Sequence, residues 1–113
     1  MSVSGVLTRR RVARFEELPE GEGLAVALGE REVALYRIGS NVYATDNLCT
    51  HGAARLCEGF LDGYWIECPF HQGAFDVRTG IATRAPAEEP LATYVVEIEN
   101  GEVYIVVPAD PPR

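Results

Sequence analysis

Short apolar runs, each ended by a turn signal, follow one another along most of this chain. Their length and their content of β-branched and aromatic residues are typical of β-strands. No segment shows the 3.6-residue apolar period of an amphipathic helix. The runs predict strands at residues 24–28, 33–38, 42–45, 74–77, 94–99 and 102–107.

The last two runs are separated only by Asn100 and Gly101. Both residue types tolerate the positive φ angles of a type I′ turn, so the pair predicts a tight β-hairpin. Together the runs predict an all-β fold, in which short antiparallel strands build a small sandwich or barrel.

The middle of the chain differs in composition from its two ends. Residues 46–84 contain all three cysteines, both histidines and the single tryptophan. A chain of 113 residues has the length of one domain. We therefore expect a single domain over residues 1–113, with a small subdomain at about residues 46–84 inserted between strands of a β scaffold.

The formal net charge of −7 argues against a nucleic acid or an anionic membrane as a partner. The acidic surface serves either solubility or the electrostatic steering of a basic partner, and the sequence leaves both open. No stretch approaches the ~20 apolar residues of a membrane-spanning helix. The arginines at 9–11 resemble a twin-arginine export signal, but no apolar segment follows them. We expect a cytoplasmic protein.

Each histidine of the chain closely follows a cysteine, His51 after Cys49 and His71 after Cys68. Sixteen residues separate the two pairs, which gives the pattern C-x-H-x16-C-x2-H, with a proline after the second cysteine. Two thiolates and two imidazoles suit iron or zinc. The mixed order, with one cysteine and one histidine in each half, predicts a Rieske [2Fe–2S] cluster. One iron of such a cluster takes both cysteines and the other takes both histidines.

Around this motif the chain resembles the Rieske ferredoxins of bacterial aromatic-ring dioxygenase systems, such as those for naphthalene, biphenyl or anthranilate. The matching stretches are residues 43–52 and 67–80, and chain length and strand order agree as well. The resemblance implies the Rieske fold, with a cluster-binding subdomain on the scaffold. It also implies a carrier, not an enzyme, that shuttles single electrons from a flavin-containing NAD(P)H-dependent reductase to a terminal Rieske oxygenase. A carrier that must undock quickly is expected to be a monomer.

The chain departs from the respiratory and photosynthetic Rieske proteins, which carry an extra cysteine in each ligand loop and join the two by a disulfide. Ala54 and Phe70 take those positions here. That branch also places Ser and Tyr hydroxyls near the cluster, where this chain has Gly73 and Phe75. Hydrogen bonds to the sulfurs stabilise the reduced cluster, so their loss lowers the reduction potential. We expect a potential near the bottom of the Rieske range, about −150 mV.

Two further residues, one within the middle segment and one just after it, have weaker assignments. Cys57 has no place in the motif, and we expect it to be a partly buried bystander thiol. With the other two cysteines assigned to iron, no disulfide scaffold is expected, which agrees with a reducing compartment. Pro86 falls where the family has a proline-containing loop that shields the cluster, although a simple strand terminator fits it as well.

Two alternative functions stay open. A structural zinc module would also use two cysteines and two histidines, but such modules usually pair like ligands in each half. The chain could instead be a Rieske small subunit of another oxidoreductase, similar to that of nitrite reductase. It cannot be an oxygenase by itself. The mononuclear iron site of an oxygenase needs two histidines and a carboxylate, and the motif already uses both histidines of the chain.

Overall fold

The computed structural model describes residues 7–49, 54–69, 73–85, 87 and 89–108. This part of the chain contains ten strands and two 3-10 turns, which confirms the predicted all-β fold. The strands are β1 (Leu7–Arg14), β2 (Gly23–Leu28), β3 (Arg31–Ile38), β4 (Asn41–Asp46), β5 (Phe60–Asp62), β6 (Trp65–Glu67), β7 (Ala74–Asp76), β8 (Ala82–Arg84), β9 (Thr93–Glu99) and β10 (Glu102–Pro108). The 3-10 turns are Phe15–Glu17 and Leu56–Glu58. No helix within the described residues is long and apolar enough to cross a membrane.

The six longer strands form one antiparallel sheet in the order β1-β10-β9-β4-β3-β2. Its two three-stranded halves are joined where Ala44 pairs with Tyr94 and Thr45 pairs with Thr93. Contacts between β1 and β2 bring the outer strands together, so the sheet curls into a half-barrel. Its scaffold core consists of Ala13, Leu18, Val33, Leu35, Val42, Ala44, Val103 and Ile105.

The turn between β9 and β10 follows the sequence prediction. The φ angles are 54° at Asn100 and 78° at Gly101, and Glu99 pairs with Glu102 across the turn. All six strands predicted from apolar runs are present, and their bounds differ from the observed ones by at most two residues. The apolar runs missed β1, β5, β6 and β8. Four of the eight residues of β1 are arginines, which interrupt any apolar run, and β5, β6 and β8 have three residues each, too few to establish a period.

The second sheet is antiparallel, in the order β5-β6-β7-β8, and each strand has three residues. It lies within the segment predicted as a subdomain. One row of side chains crosses the sheet, because Leu61 pairs with Ile66, Ile66 with Phe75, and Phe75 with Ala82. This row packs into a second core, which contains Ala34, Tyr36, Cys49, Ala54, Leu56, Ile66, Cys68, Phe75, Val77, Ala87 and Leu91.

Strand β3 separates the two cores. Val33 and Leu35 belong to the scaffold core, whereas Ala34 and Tyr36 belong to the second core. All four side chains are fully buried, which explains why the sequence has a continuous apolar run here and not an alternating one. The second sheet and its adjoining loops therefore rest against a strand that is fixed from both sides.

Candidate metal centre

Cys49 lies at the base of the loop that leads from β4 toward β5. Its side chain is buried, and its backbone N–H donates to the Ala54 carbonyl over 3.0 Å. Leu48 forms an antiparallel bridge with Arg55. These contacts form a short two-stranded stem, and the loop enclosed by this stem includes the predicted ligand His51, which lies outside the described residues.

Cys68 occupies the equivalent position in the loop between β6 and β7. It is also buried, and its backbone N–H donates to the Gly73 carbonyl over 2.7 Å. The cysteine thus bonds to the residue five positions later in both loops. The stem of this second loop continues the sheet, because Glu67 pairs with Ala74. Its predicted ligand His71 also lies outside the described residues.

The two cysteines converge on one apolar environment. Cys49 and Cys68 are both members of the second core, together with Ala54, Phe75 and Ala87, and no disulfide joins the three cysteines of the chain. Two buried thiols, presented from the bases of two similarly closed loops, fit the cysteine side of a binuclear iron–sulfur cluster. The fold therefore brings the two cysteines of the predicted ligand set to the same core.

Asn47 anchors the first loop and was missed by the sequence analysis. It is fully buried. Its side-chain Nδ2 donates to Glu32 Oε1 over 2.8 Å and to Cys57 Sγ over 3.4 Å, while its Oδ1 accepts from the Cys57 backbone N–H over 2.8 Å. The Asn47 carbonyl accepts from the Leu56 N–H. The only sequence signal was a polar residue two positions before a predicted ligand, and such a residue is usually exposed.

Cys57 is partly buried, as predicted. Its thiol accepts a hydrogen bond from Asn47, and its backbone packs close to Gly23, where a Cβ would lie 2.9 Å from the Cys57 Cα. The residue therefore has a structural setting next to the first loop, in the turn Leu56–Glu58.

Two residues tied to the low-potential prediction are buried beside the cysteines. Phe75 is completely buried in the second core, and its ring carries no hydroxyl. Gly73 is packed against Ala87, such that a Cβ on Gly73 would lie 2.9 Å from the Ala87 nitrogen. Ala54, at one of the positions of the absent disulfide, is also buried. Phe70 at the other position, and Pro86 in the expected shielding loop, lie outside the described residues.

A charged groove of about 370 Å³ borders the first loop. It is lined by Glu30, Arg31, Glu32, Asp46, Leu48 and Arg55. Leu48 is 60% exposed, although it directly precedes the buried Cys49. An apolar side chain is thus held in solvent beside a predicted ligand, within a ring of charges of both signs.

The chain is similar to a known protein family and to its characterised members. Residues 8–95 match the family profile of the Rieske [2Fe–2S] domain. The ferredoxin component of the naphthalene 1,2-dioxygenase system of Pseudomonas aeruginosa is 55% identical over 89 residues, which cover 79% of this chain and 86% of that protein.

Solved structures give the same result. The ferredoxin of carbazole 1,9a-dioxygenase from Nocardioides aromaticivorans IC177 superposes with a TM-score of 0.84 at 39% identity, over 87% of this chain and 96% of that one. A chain in a complex of reduced oxygenase and oxidized ferredoxin of carbazole 1,9a-dioxygenase superposes with a TM-score of 0.81 at 44% identity, over 86% of this chain and 91% of that one.

Proposed function

The chain belongs to the Rieske [2Fe–2S] family, and we propose that it is the ferredoxin component of an aromatic-ring dioxygenase system, an electron carrier and not an enzyme. The observation that carries this proposal is the pair of buried cysteines, Cys49 and Cys68, at the bases of two loops closed in the same way. Each loop also contains one histidine of the motif. The bound cluster supplies the uptake and release of one electron.

We assign the four metal ligands as Cys49, His51, Cys68 and His71. The two cysteines would hold one iron, and the apolar neighbours of the second core would keep water from their thiolates. The two histidines follow the cysteines by two and three positions and would hold the other iron. The family resemblance implies that the other edge of each imidazole would face a docked partner, which would shorten the distance that the electron must cross.

The partners follow from the role of a carrier. The terminal oxygenase receives the electron, and a flavin-containing NAD(P)H-dependent reductase supplies it. We propose that the protein is cytoplasmic, since three cysteines without a disulfide agree with a reducing compartment. We propose that it is a monomer, since a carrier must undock quickly from each partner. Its net charge of −7 favours basic docking faces on both partners.

Reconstitution tests the proposal. Purified protein should be red-brown, contain two irons and two labile sulfides per chain, and give a Rieske-type EPR signal when reduced. Added to NADH, a flavin-containing reductase and the oxygenase of a naphthalene-type system, it should restore formation of the cis-dihydrodiol product. Stoichiometric zinc without iron would overturn the cluster. A loaded protein that passes electrons to a nitrite reductase and to no dioxygenase would overturn the assignment of the partner.

A further inference from the structure

Glu32 makes an unusual number of contacts for a residue at the start of β3. Its carboxylate accepts hydrogen bonds from Asn47 Nδ2 over 2.8 Å, from Arg55 Nε over 3.0 Å and from Arg55 Nη2 over 2.8 Å. Its backbone carbonyl accepts from the Asn47 N–H over 3.1 Å. One residue of the scaffold thus receives four N–H groups from two residues of the first loop.

Those two residues are the opposite stems of the loop that contains Cys49. Asn47 precedes the cysteine by two positions, and Arg55 directly follows Ala54, whose carbonyl closes the loop onto the Cys49 N–H. Leu48 and Arg55 also bridge each other. By holding both stems, Glu32 fixes the separation of the stems and the placement of the loop on β3.

The stems of the second loop are fixed by backbone pairing and do not depend on such side-chain hydrogen bonds. Its stem is an extension of the β6–β7 ladder, in which Glu67 pairs with Ala74. The first loop lies between β4 and β5, and these strands are in different sheets. Side-chain hydrogen bonds therefore supply for Cys49 the constraint that a strand ladder supplies for Cys68.

The contribution of these contacts to folding stability is expected to be small. The side chains of Glu32 and Arg55 are 48% and 45% exposed, and exposed ion pairs contribute little to the free energy of unfolding. A bidentate Arg–carboxylate pair nevertheless has a defined geometry, and the pKa of Glu32 is lowered by its bonds with Arg55 and Asn47. The contact therefore serves mainly to fix the position of the loop, and it adds little to the free energy of unfolding.

We propose that Glu32 is a positioning residue for the iron–sulfur cluster, acting through Asn47 and Arg55 to set where Cys49 presents its thiolate. The proposal rests on the assignment of Cys49 as a ligand in the proposed function. Arg55 takes part in a further contact on the same side of the loop. The Arg55 guanidinium binds Glu32 and, through Nη1, also binds Glu58 over 2.9 Å. Its hydrogen bonds therefore hold the stem of the first loop.

The test compares Glu32→Gln with Glu30→Gln in the loaded protein. Both variants remove one negative charge from the same groove, but within the described residues Glu30 has no ion pair. We expect Glu32→Gln to lose iron to a chelator about 10- to 100-fold faster than wild type, the usual effect of removing a residue that orients a metal ligand. Its EPR signal should broaden or split, while Glu30→Gln keeps the wild-type values.

Arg55→Lys gives a second, milder variant, because it keeps the charge and removes the two-pronged contact. It should change the EPR signal in the same direction as Glu32→Gln, and it decides the question alone if Glu32→Gln does not fold. A lowered Tm with an unchanged EPR signal in these variants would show a merely structural role and overturn the proposal. Wild-type protein that binds no iron would overturn the proposed function instead.

Discussion

Gly73 and Ala87 touch through their backbones at the edge of the second core. A Cβ on Gly73 would lie 2.9 Å from the Ala87 nitrogen and 3.0 Å from the Ala87 Cβ. The segment that carries Ala87 is itself held by a hydrogen bond from the Ala87 N–H to the Arg84 carbonyl. Glycine at position 73 is therefore required by the close approach of two segments.

We predict that Gly73→Ala destabilises the protein by about 1–3 kcal/mol, the usual cost of overpacking, and speeds the loss of the cluster. Urea unfolding and chelator challenge measure the two effects. Ala87→Gly in the same background should restore only part of the stability, because it removes the contact with the Cβ and leaves the contact with the backbone nitrogen. Full restoration, or no loss in Gly73→Ala, would contradict the steric explanation.

Phe75→Tyr tests the low-potential prediction. Phe75 is completely buried in the core that holds both cysteines, so a hydroxyl added there either reaches a sulfur atom or stays unpaired. We expect it to reach a sulfur and raise the midpoint potential measured by redox titration. An unpaired hydroxyl would instead cost about 1–3 kcal/mol of stability.

Phe60→Tyr is the matched control for this substitution. Phe60 is 64% exposed, so its added hydroxyl is solvated and should leave the potential unchanged. A crystal structure of Phe75→Tyr with the hydroxyl bonded to a cysteine sulfur, together with an unchanged potential, would refute the role given to the missing hydroxyl.

The three cysteines should behave differently when replaced by serine. Cys49→Ser and Cys68→Ser, like His51→Ala and His71→Ala, should abolish or grossly alter the visible spectrum, because each removes a proposed ligand. Cys57→Ser should keep the wild-type spectrum and potential, since the serine oxygen accepts the same hydrogen bond from Asn47. Loss of iron in Cys57→Ser would show that the third cysteine was misassigned.

Local features of the sequence predicted most of the fold. Apolar runs located five of the six strands of the scaffold, all but β1, and Asn100–Gly101 located its hairpin with both positive φ angles. Spacing alone singled out Cys49 and Cys68, which the fold places in one core, because the motif is concentrated in a few adjacent positions. The predicted ligand set and the predicted bounds of the subdomain stay predictions.

The contacts that hold the first loop could not be predicted in this way. Glu32 and Arg55 are 23 residues apart, and no local pattern connects them. In the sequence, Glu32 is one of several acidic residues in a chain of charge −7, and Arg55 is a charge near a predicted ligand. Their pairing arises only when β3 packs beneath the loop, a tertiary relationship that periodicity does not encode.

Electron transfer to the oxygenase should slow as ionic strength rises. Reduction takes the net charge from −7 one unit lower, and attraction to a basic face is screened beyond a Debye length of about 10 Å at 0.1 M salt. Stopped-flow oxidation of the reduced protein by the oxygenase, across a range of salt concentrations, measures this dependence. Rates that do not change with salt would show that docking is governed by apolar contacts.

Leu48 offers the sharpest test of where the oxygenase docks. It is 60% exposed and directly precedes Cys49, whereas Val95 is 64% exposed and lies on the scaffold strand β9. We predict that Leu48→Glu slows electron transfer about tenfold and leaves the potential and EPR signal unchanged, because the new charge enters a desolvated contact. Val95→Glu adds the same charge to an equally exposed site and should transfer electrons at the wild-type rate. Equal slowing in both variants would mean that added negative charge acts at long range. Slowing in Val95→Glu alone would place the docking face on the scaffold, away from the two ligand loops.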